Sequence, residues 1–239
     1  MRLDKLLAHS GFGTRKQVRG IIKDELVQVD GEVVVDHGQH VDPDKQEIRV
    51  QDVVVNYQEF VYFMLNKPAG VISATEDRMH ETVLDLLEPS DMYHEPHPVG
   101  RLDLDTEGLL ILTNDGKLTH HLTSPNRHVS KVYFAVVEGL VDETDVAAFA
   151  EGLTLDDGYE TLPGELTILE VDEAEGYSQI ELIIQEGKFH QVKRMFEAVD
   201  KEVQFLKRLK MGKLSLDETL APGEYRPLTA EEVQLLQDS

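Results

Sequence analysis

The chain has no cysteine and no tryptophan, only 6% aromatic residues, and 23 Lys and Arg against 46 Asp and Glu. Without thiols there is no disulfide framework, cysteine-ligated zinc, iron–sulfur cluster or cysteine nucleophile, so a stapled extracellular fold is excluded and a cytoplasmic protein is expected. No unbroken apolar run approaches the ~18 residues of a membrane helix. The opening MRLDKLLAHSGFGTRK lacks the apolar stretch and cleavage site of a secretory signal. With no tryptophan, any aromatic platform in a binding site must come from Tyr or Phe. A Gly-rich phosphate loop or dinucleotide fingerprint between strand and helix is missing too, which counts against a nucleotide cofactor. What is present is 239 residues with 41% apolar, enough core for one large domain or for one medium and one small.

A formal net charge of −23 argues against indiscriminate nucleic-acid binding, because phosphates repel an acidic surface. The average hides two exceptions. Residues 1–23 and 188–213 each carry a net +5, leaving −33 on the remainder. Such islands in an acidic body receive anionic ligands at chosen surfaces; solvated helix faces are the plainer reading of either run alone.

Residues 1–50 are predicted to form two helices and a hairpin. Thr14 and Gln17 have capping-box spacing, and Val18, Ile21 and Ile22 give the second helix one apolar face. Arg15, Arg19 and Lys23 recur every four residues, so they project from one side, with Lys16 beside them. Val27 and Val29 alternate into an Asp30-Gly31 turn. Here RLDKLLA (2–8), TRKQVRGII (14–22) and VQVDGEVV (27–34) resemble the alpha-L RNA-binding domain of ribosomal protein S-four. The resemblance implies that Arg2, Lys5, Thr14, Arg15 and Arg19 face RNA phosphates. Thr14 replaces the usual Ser, and Glu25 stands where the family often has Gly, a position of left-handed backbone. Residues 51–58 read as a linker, with the boundary near Asn56, and 59–239 as a second domain.

In that second domain GRLDLDTEGLLILTNDG (100–116) holds the densest constellation: a polar loop with Arg101, Asp103, Asp105, Thr106 and Glu107, then an apolar strand closed by Asn-Asp-Gly. Asp103 lies between Leu102 and Leu104 with Arg101 adjacent, which describes an ionised, poorly hydrated carboxylate able to act as nucleophile or base. Asp105 and Glu107 read as solvated surface acids. In SKVYFAVVEG, Lys131, Tyr133, Ala135 and Val137 share one side of a strand. In EGKFHQVKRMFEAV a helix is expected whose first turn carries Lys193 and Arg194 off the apolar stripe; cations there oppose the helix dipole and call for a nearby anion. His120 and His121 are adjacent and diverge, a poor metal pair; His128 and His190 read as structural.

GRLD-x-DT-x-GL, YFMLNKPAGVIS (62–73), SPNRHVSKVYFAVVEG (124–139), EGKFHQVKRMFEAV (186–199) and LAPGEYRPLT (220–229) together resemble the pseudouridine synthases of the RsuA branch across nearly the whole chain. That resemblance implies an α+β fold, with a mixed, largely antiparallel sheet and a central cleft in the catalytic domain. It implies an isomerase that opens the N1–C1′ bond of a uridine, turns the base and rejoins C1′ to C5, with neither redox change nor water and no cofactor or metal. Asp103 becomes the catalytic residue, by covalent addition, by stabilising a cationic sugar or by removing the C2′ proton. Tyr133 supplies the stacking face and Lys193 pairs with the carboxylate. Substrate contacts are expected from Arg101, Asn66, Lys67, Lys131 and Arg194. The HQVKRMF wording resembles the branch acting on small-subunit (16S) rRNA. The expected partner is therefore ribosomal RNA or an assembling small subunit, met by a monomer, with a large-subunit enzyme or a non-catalytic assembly factor as alternatives.

Overall fold

The computed structural model describes residues Met1–Ser239. Two compact units emerge, one of residues 1–61 and 87–96, the other of 62–86 and 97–239.

In the smaller unit α1 (Leu3–His9) and α2 (Arg15–Lys23) precede β1 (Val27–Val29), β2 (Glu32–Val33), β3 (Ile48–Val50) and β4 (Val53–Val54), which form a four-stranded sheet ordered β2-β1-β3-β4. The Thr14 hydroxyl and Gln17 side chain close a reciprocal capping box, so α2 starts where its own sequence satisfies the orphan amides. Val18 and Ile22 of its apolar face are fully buried, with Leu3, Leu6, Leu7 and Val27. Asp30 (φ 53°) and Gly31 (φ 84°) are both left-handed, the two-residue turn that matches strand twist. Glu25 has φ 62°, so the glycine-like backbone is retained without glycine.

The expected linker at 51–58 is in part sheet. Val53 and Val54 pair with Val50 and Arg49, and the Val55 amide donates to the Ile48 carbonyl. Gln51, at φ 53°, makes this second tight turn without the Gly or Asn that signals one. The compact unit then runs to Val61, past Asn56, and regains residues 87–96, including the short α3 (Pro89–Met92).

The larger unit is built on a nine-stranded sheet. Its strands are β5 (Tyr62–Lys67), β6 (His97–Pro98), β7 (Glu107–Thr113), β8 (Lys131–Glu138), β9 (Glu165–Asp172), β10 (Tyr177–Ile184), β11 (Glu202–Met211), β12 (Leu214–Ser215) and β13 (Tyr225–Pro227). The spatial order is β13-β5-β7-β11-β8-β10-β9, with β12 on β11 and β6 on β7. Every pairing is antiparallel except β7–β11, so the sheet is mixed and the fold α+β as expected. That parallel junction needs Gly108: at φ 100°, a Cβ there would fall on the Arg208 carbonyl. Helices α4 (Gly116–Thr123) and α7 (Ala230–Gln237) bring Leu118, Leu122 and Leu236 onto a core containing Met64, Leu109, Ile111 and Met211; α5 (Glu143–Glu151) and α6 (Gln191–Glu197) complete the unit. No helix is long and apolar enough to cross a membrane.

Candidate active site

The polar loop before β7 is tied down along its length. Ser73 Oγ accepts from the Leu102 amide (3.0 Å) and donates to the Leu102 carbonyl (2.9 Å). Lys67, with no exposed surface, donates to the carbonyls of Pro68 (2.9 Å), Thr106 (2.8 Å) and Leu104 (3.4 Å). Burial pushes the Lys67 ammonium down to about 8, against the pull of Asp105 and Asp103. Leu102 is buried, Leu104 is 42% exposed, and Asp103 stands between them with 29% of its side chain exposed. It is an accessible carboxylate on a fixed backbone.

Helix α6 supplies its neighbours. His190 precedes α6 in a left-handed conformation (φ 49°), strain of the kind held at functional sites. Its ring stacks on Phe189 at 3.8 Å and brings Nε2 to 3.7 Å from Asp103 Oδ1. Lys193, in the first turn, reaches Asp103 Oδ2 at 3.7 Å but hydrogen-bonds Asp105 Oδ1 and Oδ2 at 2.7 and 2.8 Å. The anion that the helix dipole required is thus shared, and Asp105 takes the shorter contacts. The Lys193 hydrogen bond holds the Asp105 carboxyl below its usual range. Asp105 is exposed, as expected of a surface acid, and in addition tethers Lys193, while His190, expected to be structural, faces the carboxylate.

A cavity of about 400 Å³ opens beside Asp103, and Arg101, Thr106, Lys131, Tyr133, Leu206 and Arg208 are among its walls. Tyr133 is 7% exposed, so its ring forms a wall of the cavity, and register places it opposite Leu182 on β10 and Arg208 on β11. Glu186 braces the entrance loop by accepting from Tyr159 Oη (2.7 Å), the Leu162 amide (2.9 Å) and Gln191 Nε2 (2.5 Å). Lys188, at the same opening, lies 4.5 Å over the Tyr159 ring. No group of three or more His, Cys, Asp or Glu is arranged to hold a metal ion.

Several expected substrate contacts lie elsewhere. Asn66 is 2% exposed and its Nδ2 donates to the Leu220 carbonyl at 2.8 Å, which locks β5 to the chain before β13. Lys67 supports the loop and has no surface to offer a ligand. Arg194 is held by Asp156 and Asp157 at 2.5 and 2.7 Å and does not line the cavity. Arg101 lines it and is exposed, but it makes no ion pair with Asp103, whose charged neighbours are His190 and Lys193. Sequence reading gave no role to Asp4, Ser73 or Arg208. The signal for Arg208 was the period of two on β11, which puts it on the buried side with Leu206.

In the smaller unit Asp4 is 2% exposed and gathers Arg2 (2.9 Å) and Arg19 (3.1 Å). Burial raises the Asp4 pKa, but the hydrogen bonds from both arginines outweigh it and hold the carboxyl below its usual value. Lys5, Arg15, Lys16 and Lys23 are exposed, so α1 and α2 present a cationic face. Thr14 is exposed as well, but its hydroxyl is committed to Gln17 as the helix cap and not to a phosphate.

Comparison with known proteins places these features in context. The profile of a family described as RNA pseudouridylate synthase matches residues 61–198, and that of the S4 domain matches residues 1–47. The chain is 51% identical over 238 residues to a Bacillus subtilis protein named uncharacterized RNA pseudouridine synthase YtzG, covering 100% of this chain and 99% of that one. It is 40% identical over 237 residues to ribosomal small subunit pseudouridine synthase A of Yersinia pestis, covering 98% and 97% of the two chains. The Escherichia coli K12 protein of the same name is 39% identical over 235 residues, 98% of each chain. A crystal structure titled pseudouridylate synthase matches over 99% of both chains with a TM-score of 0.69 and 38% identity.

Proposed function

This chain belongs to the RNA pseudouridylate synthases, isomerases that act on RNA, and we propose that its substrate is one uridine of small-subunit (16S) ribosomal RNA. The choice of RNA is supported by whole-length identity of about 40% to proteins named for the small subunit. The observation that carries the chemistry is Asp103 at the mouth of the cavity, with His190 and Lys193 each 3.7 Å from its oxygens and Tyr133 in the cavity wall.

In this reading an extruded uridine enters with its base along Tyr133 and its sugar at Asp103. Asp103 acts at the sugar while the N1–C1′ bond opens and its electron pair leaves on the base. An aromatic wall favours such a detached base, because it holds the ring by its face and leaves it free to turn. C5 then bonds to C1′, C5 loses its proton and N1 gains one, so atoms balance without a cofactor. Lys193 acts through position: anchored by Asp105, it fixes where the Asp103 carboxylate sits. Residues 1–50 contribute RNA affinity through the cationic face of α1 and α2, in a monomer working in the cytoplasm on ribosomal RNA or an assembling subunit.

Mapping pseudouridines in ribosomal RNA from cells with and without the protein tests this. The expected outcome is loss of one modified position in small-subunit RNA. An unchanged map would contradict it, and a loss confined to large-subunit RNA would reassign the substrate.

A further inference from the structure

Arg208 is 2% exposed, lies in the cavity wall and forms no ion pair. Its Nε donates to the Leu109 carbonyl at 2.9 Å, while its Nη2 is buried with no partner at all. Thr106 Oγ1 is a second buried polar atom without a partner, and Thr106 lines the same cavity. Glu186, an acid in that lining, is already occupied by Tyr159, Leu162 and Gln191. Lys131 adds a further cation from the neighbouring strand. Burial lowers the Lys131 pKa to about 8, and the nearby charge of Arg208 adds to the effect.

An uncompensated buried cation is unfavourable, and so is an unpaired donor. Both residues line a cavity, which leaves its occupant as the candidate partner. The register of β8 and β11 sets Arg208 opposite Tyr133, against the aromatic wall and away from the exposed cations Arg101 and Lys188. A buried guanidinium beside an aromatic ring suits a base, whereas a backbone phosphate is better served by the exposed cations. We propose that Arg208, with Thr106, holds the uracil ring and takes up the negative charge that the ring acquires when the N1–C1′ bond opens. The inference rests on the synthase reading above. Arg208 transfers no proton: the electron pair moves from the N1–C1′ bond onto the ring, delocalises to its carbonyl oxygens, and returns to C1′ through C5. A donor fixed where charge develops stabilises the transition state more than the ground state.

Two measurements test this. The first uses the unaltered protein and free bases: 5-nitrouracil, an anion at neutral pH, against the neutral 5-methyluracil. At least tenfold tighter binding of the anion is expected, with the preference lost in Arg208→Met. Equal affinity, or no binding of the anion, overturns the proposal. Inorganic phosphate that displaces 5-nitrouracil from the native protein but not from Arg208→Met would give the site to a backbone phosphate, and also overturns it. The second is single-turnover opening of uridine and of 5-fluorouridine in the same RNA. Fluorine stabilises the departing anion, so Arg208→Met should slow uridine at least tenfold more than fluorouridine; equal slowing of both marks a structural role. Should Arg208→Met fail to fold, the anion preference of the native protein decides alone. Preference without any pseudouridine formation refutes the synthase reading, and pseudouridine formation without preference refutes this one.

Discussion

In the smaller unit a buried carboxylate, Asp4, holds exposed cations; in the larger unit buried cations, Lys67 and Arg208, are held by backbone carbonyls with no carboxylate in contact. The first arrangement presents charge to solvent, where it acts over a Debye length and is screened by salt. The second confines charge to a low-dielectric interior, where it acts strongly on its near neighbours, as Arg208 does on Lys131. One net charge of +5, at residues 1–23, is thus mostly exposed, and an equal one at 188–213 is divided between buried and exposed cations.

Lys193 and Arg194 give the sharpest way to break this contrast, since they are adjacent on one helix and bound to different acids. Lys193→Met should lower the single-turnover rate by roughly 10²–10³, the scale of losing one preorganised electrostatic group. Arg194→Met should leave it within about threefold. Equal effects would dissolve the distinction between a cation paired at the site and one paired away from it. Lys67→Met leaves three loop carbonyls without their donor, so a destabilisation of about 3 kcal/mol is expected in thermal melts. An unchanged melting temperature would show that the buried ammonium does not hold the loop. Alanine at Arg15 and Arg19 together should weaken RNA binding about tenfold and reduce the salt slope by roughly 2, with the rate at saturating RNA unaltered. An unchanged slope would remove α2 from the interface.

The smallest expected effect concerns His9 and His94. Burial lowers both below their ordinary value of 6.5, with Glu95 raising and Lys5 and Arg15 lowering His9, and Asp91 raising His94. The unfolded chain therefore binds protons that the folded unit refuses, so stability is complete above 6.5 and declines as pH falls from there toward the lowered folded values. Urea titrations at pH 7.5 and 5.5 should show this loss, and His9→Phe should reduce it; equal pH dependence in the variant would contradict the account.

What the sequence made legible was local. The Thr14–Gln17 cap, the Asp30-Gly31 turn and the strand alternation at Tyr133 are set by neighbours within a few positions, and the structure keeps all of them. The loop at 100–106 was legible as a constellation, but not the sharing of Lys193 between Asp103 and Asp105, because distances across 88 residues have no local signature. Arg208 was hidden for a related reason. Among Lys207, Arg208 and Lys210 it reads as one more surface cation; the period of two groups it with Leu206, but that this side is buried is settled by the pairing of β11 with β7 and β8. The return of residues 87–96 to the smaller unit is likewise a tertiary fact, with no composition change to announce it.

The most direct test of the whole account is Asp103→Asn, which preserves size and removes charge. Purified variant and native protein are compared on small-subunit RNA for pseudouridine formed in a single turnover and for RNA affinity. The account predicts no detectable product from the variant, with affinity within about twofold of native. Pseudouridine formed by the variant at a comparable rate would contradict it.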